Sequence, residues 1–309
     1  MAHGLSRELV DAHVHLWDLS LTPHPWIAVA MSAIDRDFTG RDLAAQLGEV
    51  EGENEADASA GDARAHEAAA PTVVVTGAVV VQADHSLDET TWLLDQAAAS
   101  SAVLGVVGWV DLTGDVTAQL DEFAGHPAAA LLRGLRHLAH VDADPGWLTR
   151  DDVAAGVTEL GRRGLAFDLV VRPWQLGQAT ALARRAPGTR LVLDHLGNPP
   201  LEAADAESWR SGLAALAECE NVSAKVSGLA SGADAAATPD GLDRAFDAAL
   251  SDFGPERLMF GSDWPLVRLS AGGYAGWLAE YLRLTAPLAA AERDAIDAGT
   301  ARSVYGIER

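Results

Sequence analysis

Leu9-Val10-Asp11-Ala12-His13-Val14-His15 is an apolar run with the density of a buried strand, and it ends on two histidines. Residues two apart on a strand share a face, so His13 and His15 point the same way. The alternation predicts that they face inward while Val10, Ala12 and Val14 occupy the opposite side. Seven further runs follow the same design: residues 73–82, 104–110, 131–137, 165–171, 190–195, 222–227 and 257–263. The stretches between them are long enough for helices, and helical spacing of apolar residues predicts them over 87–99, 151–163, 178–185 and 242–253. Strands alternating with helices give the α/β class and a parallel sheet. Eight such units suit closure into a (β/α)8 TIM barrel better than an open sheet, and barrels of this kind reach 300 residues as one unit. The 309 residues are therefore expected to form a single domain, 1–309.

Polar residues able to do chemistry stand at the C-terminal ends of these apolar runs, where barrels of this type carry their reactive groups. His13 and His15 close the first run, Gln82 the second, His137 the fourth, His195 the sixth and Asp263 the eighth. Nitrogens from His13, His15 and His195 with an oxygen from Asp263 would make a mixed shell suited to one zinc-like divalent ion. The same groups can also act without an ion, so the pattern leaves open whether a metal is required. Asp263 follows the small pair Gly261-Ser262, which lets backbone and substrate approach closely. Its expected role is general base, against the plainer one of a helix cap. Lys225 is costly to bury unpaired; it either faces a core carboxylate or reaches the pocket. His137 and Asp168 either line the pocket or hydrogen-bond within the core. Trp17, Trp26, Trp109, Trp174 and Trp264 fall near strand ends or in loops, where an aromatic face can stack on a sugar ring or simply fill the core. His85, His126 and His140 need no functional role.

The formal net charge of −23 disfavours nucleic acid and anionic lipid as partners. The single cysteine, Cys219, rules out an intrachain disulfide and reads as a bystander thiol. No apolar leader precedes the first strand, and no run approaches the ~20 residues a membrane helix needs, so a cytoplasmic protein is expected. Residues 49–71, rich in Glu, Asp, Ala and Gly without hydrophobic period, read as a flexible acidic insertion. Residues 228–239 read as a loop over the active-site face.

The segments Asp11-Ala12-His13-Val14-His15-Leu16-Trp17-Asp18, Pro25-Trp26, Arg36-Asp37-Phe38, Gly134-Leu135-Arg136-His137, Asp194-His195-Leu196-Gly197-Asn198-Pro199-Pro200, Lys225-Val226-Ser227-Gly228-Leu229 and Phe260-Gly261-Ser262-Asp263-Trp264-Pro265 together resemble the amidohydrolase-related family, most closely its sugar-lactonase branch. The resemblance spans about residues 9–305. It implies a distorted barrel and hydrolysis of a small sugar-acid or carboxylate lactone by activated water. It also implies catalytic or metal-binding roles for His13, His15, His195 and Asp263. Gln82, Trp109, His137, Asp168, Trp26 and Arg36 are the expected substrate-binding residues. Asn198 stands where relatives usually carry Lys, which bears on the substrate contact. Binuclear members have Lys on strand four and His on strand five. Here those places hold His137 and Asp168, so at most one metal is expected. The alternatives are a metal-dependent decarboxylase or C–C hydrolase, in which arginines such as Arg36 would matter more, and a non-catalytic sugar-acid binder.

Overall fold

A computed structural model describes residues 7–27, 31–49, 73–201, 206–230 and 238–308. The expected insertion at 49–71 lies almost wholly outside these, as does most of the 228–239 loop. Eight parallel strands run in chain order around one sheet: β1 (Arg7–Val14), β2 (Val73–Val81), β3 (Val103–Gly108), β4 (Leu132–His137), β5 (Ala166–Leu169), β6 (Leu191–Leu193), β7 (Val222–Val226) and β8 (Leu258–Phe260). The sheet closes where β8 returns to β1: Asp263 N donates to His13 O at 2.8 Å and His15 N to Trp264 O at 2.6 Å. The chain is thus a single-domain (β/α)8 barrel.

The helices are α1 (40–49), α2 (Leu87–Ala99), α3 (Val116–Ala124), α4 (Asp151–Arg162), α5 (Leu176–Arg185), α6 (Ala206–Ala217), α7 (Pro239–Phe253), α8 (Gly273–Thr285), α9 (Ala290–Asp294) and α10 (Thr300–Tyr305). Both strand faces are buried, which is why the strands read as nearly unbroken apolar runs. Leu9, Val80, Leu135, Phe167, Leu193, Val226 and Phe260 face the helix layer. Val10, Ala12, Val79, Val81, Val107, Ala166, Val192 and Met259 fill the barrel interior, closed at the N-terminal end of the strands by Ala298, Ala301, Val304 and Tyr305.

One sequence expectation fails in β1. Val10 and Ala12 belong to the interior set rather than opposing His13 and His15. A register shift between Asp11 and Val14 marks a bulge. The extra residue turns His13 inward directly after Ala12 and leaves Val14 alone on the outer face.

Glu89, in the first turn of α2, shapes the loop after β2. It is fully buried and accepts the N–H groups of Ala83 and Asp84, each at 3.0 Å. Burial pushes its carboxyl up from 4.5 to about 8, against the backbone donors that favour the anion. The folded chain therefore holds this proton more tightly than the unfolded one. The associated stability is fully present below about pH 4.5 and lost as pH rises to about 8. Asp11 and Asp168, also raised, complete the same change by about 6. From about pH 6 to about 8 Glu89 is the raised carboxyl still giving up its proton. Comparison with a Gln variant cancels the opposing contribution of the buried neutral histidines, which are charged in the unfolded chain at the low end of the window. Across it, wild-type stability in denaturant titrations should fall relative to Glu89→Gln. Parallel curves would refute the assignment.

Candidate active site

The bulge and the β8 return bring three acceptor atoms together. His13 Nε2 and His15 Nε2 are 3.1 Å apart, and Asp263 Oδ1 lies 3.8 and 3.4 Å from them. His15 Nδ1 is 2.7 Å from the carbonyl oxygen of Val81. A carbonyl only accepts, so Nδ1 carries the proton and Nε2 presents a bare lone pair. Burial is the main reason that both imidazoles sit below their usual pKa and stay neutral. Asp263 Oδ1 is buried without a hydrogen bond. Burial pushes its carboxyl up, but His195, the His15 contact and His13 outweigh it, and the group is held well below the carboxylate range.

The bare lone pair of His15 and the anionic Asp263, with His13 Nε2 beside both, make a place for a cation between them. In a tetrahedral zinc site with bonds of about 2.0–2.1 Å, ligand atoms stand about 3.3 Å apart. The three separations bracket that value, so His13, His15 and Asp263 fit one divalent ion. His13 Nδ1 lies 3.2 Å from Asp194 Oδ1, the carboxylate support that metal-bound histidines commonly have. Arg136 Nη1, 3.4 Å from His13 Nε2, supplies positive charge that partly offsets the same electron density.

His195 stands beside this trio, not within it. Its ring meets that of His13 edge-on, with centroids 4.5 Å apart, and its Nδ1 is 2.9 Å from Ser227 Oγ. Donor atoms of His13, Asp194 and His195 form a second buried group within 4.8 Å. His195 and Asp263 both have left-handed backbone (φ 54° and 62°), a sparsely populated region for non-glycine residues that the surrounding structure must hold. Gly228 (φ 64°) lies flat against His195. A Cβ there would stand 2.7 Å from His195 Cγ, closer than packing allows. Gly228→Ala should therefore displace the imidazole, lowering kcat at least tenfold and stability by about 1–3 kcal/mol. Unchanged kinetics would show that the ring position is immaterial.

Beneath the trio lies a charged layer. Lys225 Nζ contacts Asp168 Oδ2 at 2.5 Å, Asp194 Oδ1 at 3.0 Å and His13 Nδ1 at 3.1 Å, and is fully buried. The first alternative for Lys225 therefore holds: it pairs with core carboxylates, and it touches a site histidine from below and not from the pocket. Asp194 Oδ2 also accepts from Arg136 Nη1 at 3.0 Å. Burial raises Asp194, but Lys225, His13 and Arg136 outweigh it and hold it well below its ordinary pKa. Asp11 ties β1 to the β8 loop, accepting from Ser262 N (2.8 Å), His13 N (3.2 Å) and Tyr274 Oη (2.9 Å).

The residues expected to hold substrate are placed variously. Asp168 is fully enclosed, with Lys225 on one oxygen and Tyr305 Oη on both. It belongs to the charged layer, not to the pocket wall. Gln82 is likewise occupied: its Oε1 accepts from Arg136 Nε at 3.0 Å, its Nε2 donates to Asp84 O, and its backbone oxygen accepts from Arg136 Nη2. His137 has both nitrogens engaged, Nδ1 accepting from Trp109 Nε1 at 3.3 Å and Nε2 against Asp142 at 2.8 Å. Its faces are covered by Trp147 (3.7 Å) and His85 (4.0 Å). Trp109 is half-buried beside it. Trp26 is 41% exposed and leans on Trp17 and His24. Arg36 is half-exposed, paired with Asp42 at 2.9 Å over the Phe38 ring, and contacts none of the trio.

Sequence reasoning passed over Arg136, Asp194 and Asp11. The first two carried a signal: charged residues at the ends of apolar runs, which with Lys225 and Asp168 make two cations matched by two carboxylates. A cavity of about 1010 Å³ at the opposite barrel end, lined by Glu8, Asp294, Arg302 and Glu308 among others, contains none of these groups. Among the described residues no helix is long and apolar enough to cross a membrane.

Residues 10–307 match the amidohydrolase family. An L-fucono-1,5-lactonase of Burkholderia ambifaria is 34% identical over 273 residues, covering 87% of this chain and 85% of the relative. An L-fucono-1,5-lactonase of Burkholderia multivorans is 33% identical, with 96% of each covered. A solved amidohydrolase from Burkholderia multivorans with bound zinc superposes with a TM-score of 0.82 at 32% identity, covering 97% of this chain and 99% of that one.

Proposed function

Because this chain belongs to the amidohydrolase family, we propose that it opens a five- or six-membered sugar-acid lactone by attack of water on the ester carbonyl. The observation that carries this reading is the convergence of an ionised carboxylate, Asp263, with the Nε2 atoms of His13 and His15, in a chain similar to proteins named L-fucono-1,5-lactonase.

Asp263 takes a proton from water as its oxygen bonds to the lactone carbonyl carbon. The ring C–O bond then breaks, and Asp263 returns that proton to the departing ring oxygen. The product hydroxy acid ionises and releases one proton to solvent. Ser227 fixes the His195 ring through Nδ1 and leaves Nε2 to donate to the oxygen that becomes negative. The charged layer of Lys225, Asp194 and Arg136 keeps His13 in place. A divalent ion bound by His13, His15 and Asp263 would acidify water and polarise the carbonyl.

A panel of aldonolactones, including L-fucono-1,5-lactone, read by a pH indicator with and without chelator tests this. Acid release is the expected result. Carbon dioxide from hydroxybenzoic acids without lactone turnover would replace the reading with a decarboxylase. Tight binding without turnover would leave a sugar-acid binder.

A further inference from the structure

Glu89 stands three residues after Ser86, the N-cap of α2, whose hydroxyl oxygen accepts from Glu89 N at 3.1 Å. A glutamate at that position ordinarily closes a capping box by reaching back to the N-cap N–H. Here its two oxygens reach past Ser86, to Ala83 N and Asp84 N, each at 3.0 Å. The ladder between β2 and β3 ends at Gln82 N, which donates to Val107 O at 2.8 Å. Glu89 thus takes hold of the chain where the sheet releases it. Neutral or ionised, a carboxyl has acceptor capacity on both oxygens, so the clasp is available in either state.

What the clasped residues hold is the guanidinium of Arg136. Arg136 Nη2 donates to Gln82 O, and Nε donates to Gln82 Oε1 at 3.0 Å, so two points on one residue set its plane. The remaining nitrogen, Nη1, then reaches Asp194 Oδ2 at 3.0 Å and stands 3.4 Å from His13 Nε2. Both oxygens of Gln82 depend on the clasp. Gln82 O and Ala83 N belong to one planar peptide unit, so a bond that fixes the N–H also fixes the C=O. The side-chain amide is steadied by its own Nε2, which donates at 2.9 Å to Asp84 O, on the second residue that Glu89 holds. Glu89, Gln82 and Arg136 are all buried, so a bond lost among them is not replaced by one to water.

Resting on the site assigned above to lactone opening, we propose that Glu89 is a positioning residue: through the Gln82–Ala83 peptide it aims Arg136 at Asp194 and His13, and so sets the geometry of the trio without touching substrate. A small misplacement of reacting groups costs far more in turnover than in binding, and a buried clasp of this kind guards against it.

The test is a double-mutant cycle with a spectroscopic partner. Glu89→Met leaves both N–H groups unclasped, and Glu89→Gln, with one acceptor oxygen, leaves one. On an aldonolactone kcat should fall between about 10- and 100-fold in the first and by less in the second, with KM within about twofold of wild type in both. Arg136→Lys keeps the charge but loses the fork that Gln82 aims. In that background either Glu89 substitution should cost under about threefold more. The Arg136 Nε–H resonance in NMR, assigned by its absence from Arg136→Lys, should shift in both Glu89 variants. Equal losses in the two backgrounds, a change confined to KM, or an unmoved Arg136 resonance would each leave Glu89 a purely structural group and overturn the proposal. Should Glu89→Met fail to fold, Glu89→Gln is read in the same cycle and by the same resonance. Should wild type open no lactone, the lactonase reading falls by itself. The resonance then decides: a shift in Glu89→Gln supports the clasp, and an unmoved signal overturns it.

Discussion

Replacing Asp263 by Asn is expected to lower kcat by about 10²- to 10⁴-fold while leaving the melting temperature within a few degrees of wild type. The size follows from losing a positioned proton acceptor. The preserved fold follows from local geometry. Asp263 sits at φ 62°, a region that Asn enters as readily as Asp, and its anchoring bond, N to His13 O, is made by backbone. The new amide would also turn an N–H toward His15 Nε2, where an anion now stands 3.4 Å from a lone pair. The fold favours the anion at this position, so stability should fall slightly, by no more than a few degrees in Tm, as activity collapses. Turnover and thermal unfolding measured on one preparation check both halves. Retention of full activity would remove Asp263 from the mechanism.

Lys225→Met should cost about 3–5 kcal/mol, the penalty for removing one member of a buried ion cluster. Met roughly fills the volume, so the cost is electrostatic. Asp168 and Asp194 would be stranded without the cation that both contact, and His13 Nδ1 would lose a neighbour at 3.1 Å. Adding Asp168→Asn should recover part of the loss, because one stranded charge is then gone. A packing defect would show no such recovery. Denaturant midpoints of the single and double variants measure this, and a loss below about 1 kcal/mol for Lys225→Met alone would show the cluster to be unimportant.

Much of the barrel was legible because its signals are local. Each strand buries both faces and so reads as an apolar run, and α2, α4, α5 and α7 carry plain helical spacing. The approach of His13, His15 and Asp263 was legible because strand ends in a closed barrel share one mouth. Depth within the barrel was not. Asp168 and His137 both look like polar residues late in a strand. Asp168 is followed by Leu169 and Val170, lies lower, and is covered by Lys225 and Tyr305. Satisfaction was equally invisible: no single segment reveals that Gln82 and His137 are used up by Arg136, Trp109 and Asp142. The β1 bulge was hidden for the same reason, since it exists only in the pairing with β2.

The seam between β1 and β8 has a kinetic meaning. The paired acceptors on one side of it and the carboxylate on the other are about 250 residues apart in sequence and are brought together by ring-closing contacts, Asp263 N to His13 O, His15 N to Trp264 O and Ser262 N to Asp11 among them. Long-separation contacts are slow to form. A refolding chain would regain most of its helical ellipticity while still catalytically silent, and turnover would be the clock that records when the circle is complete.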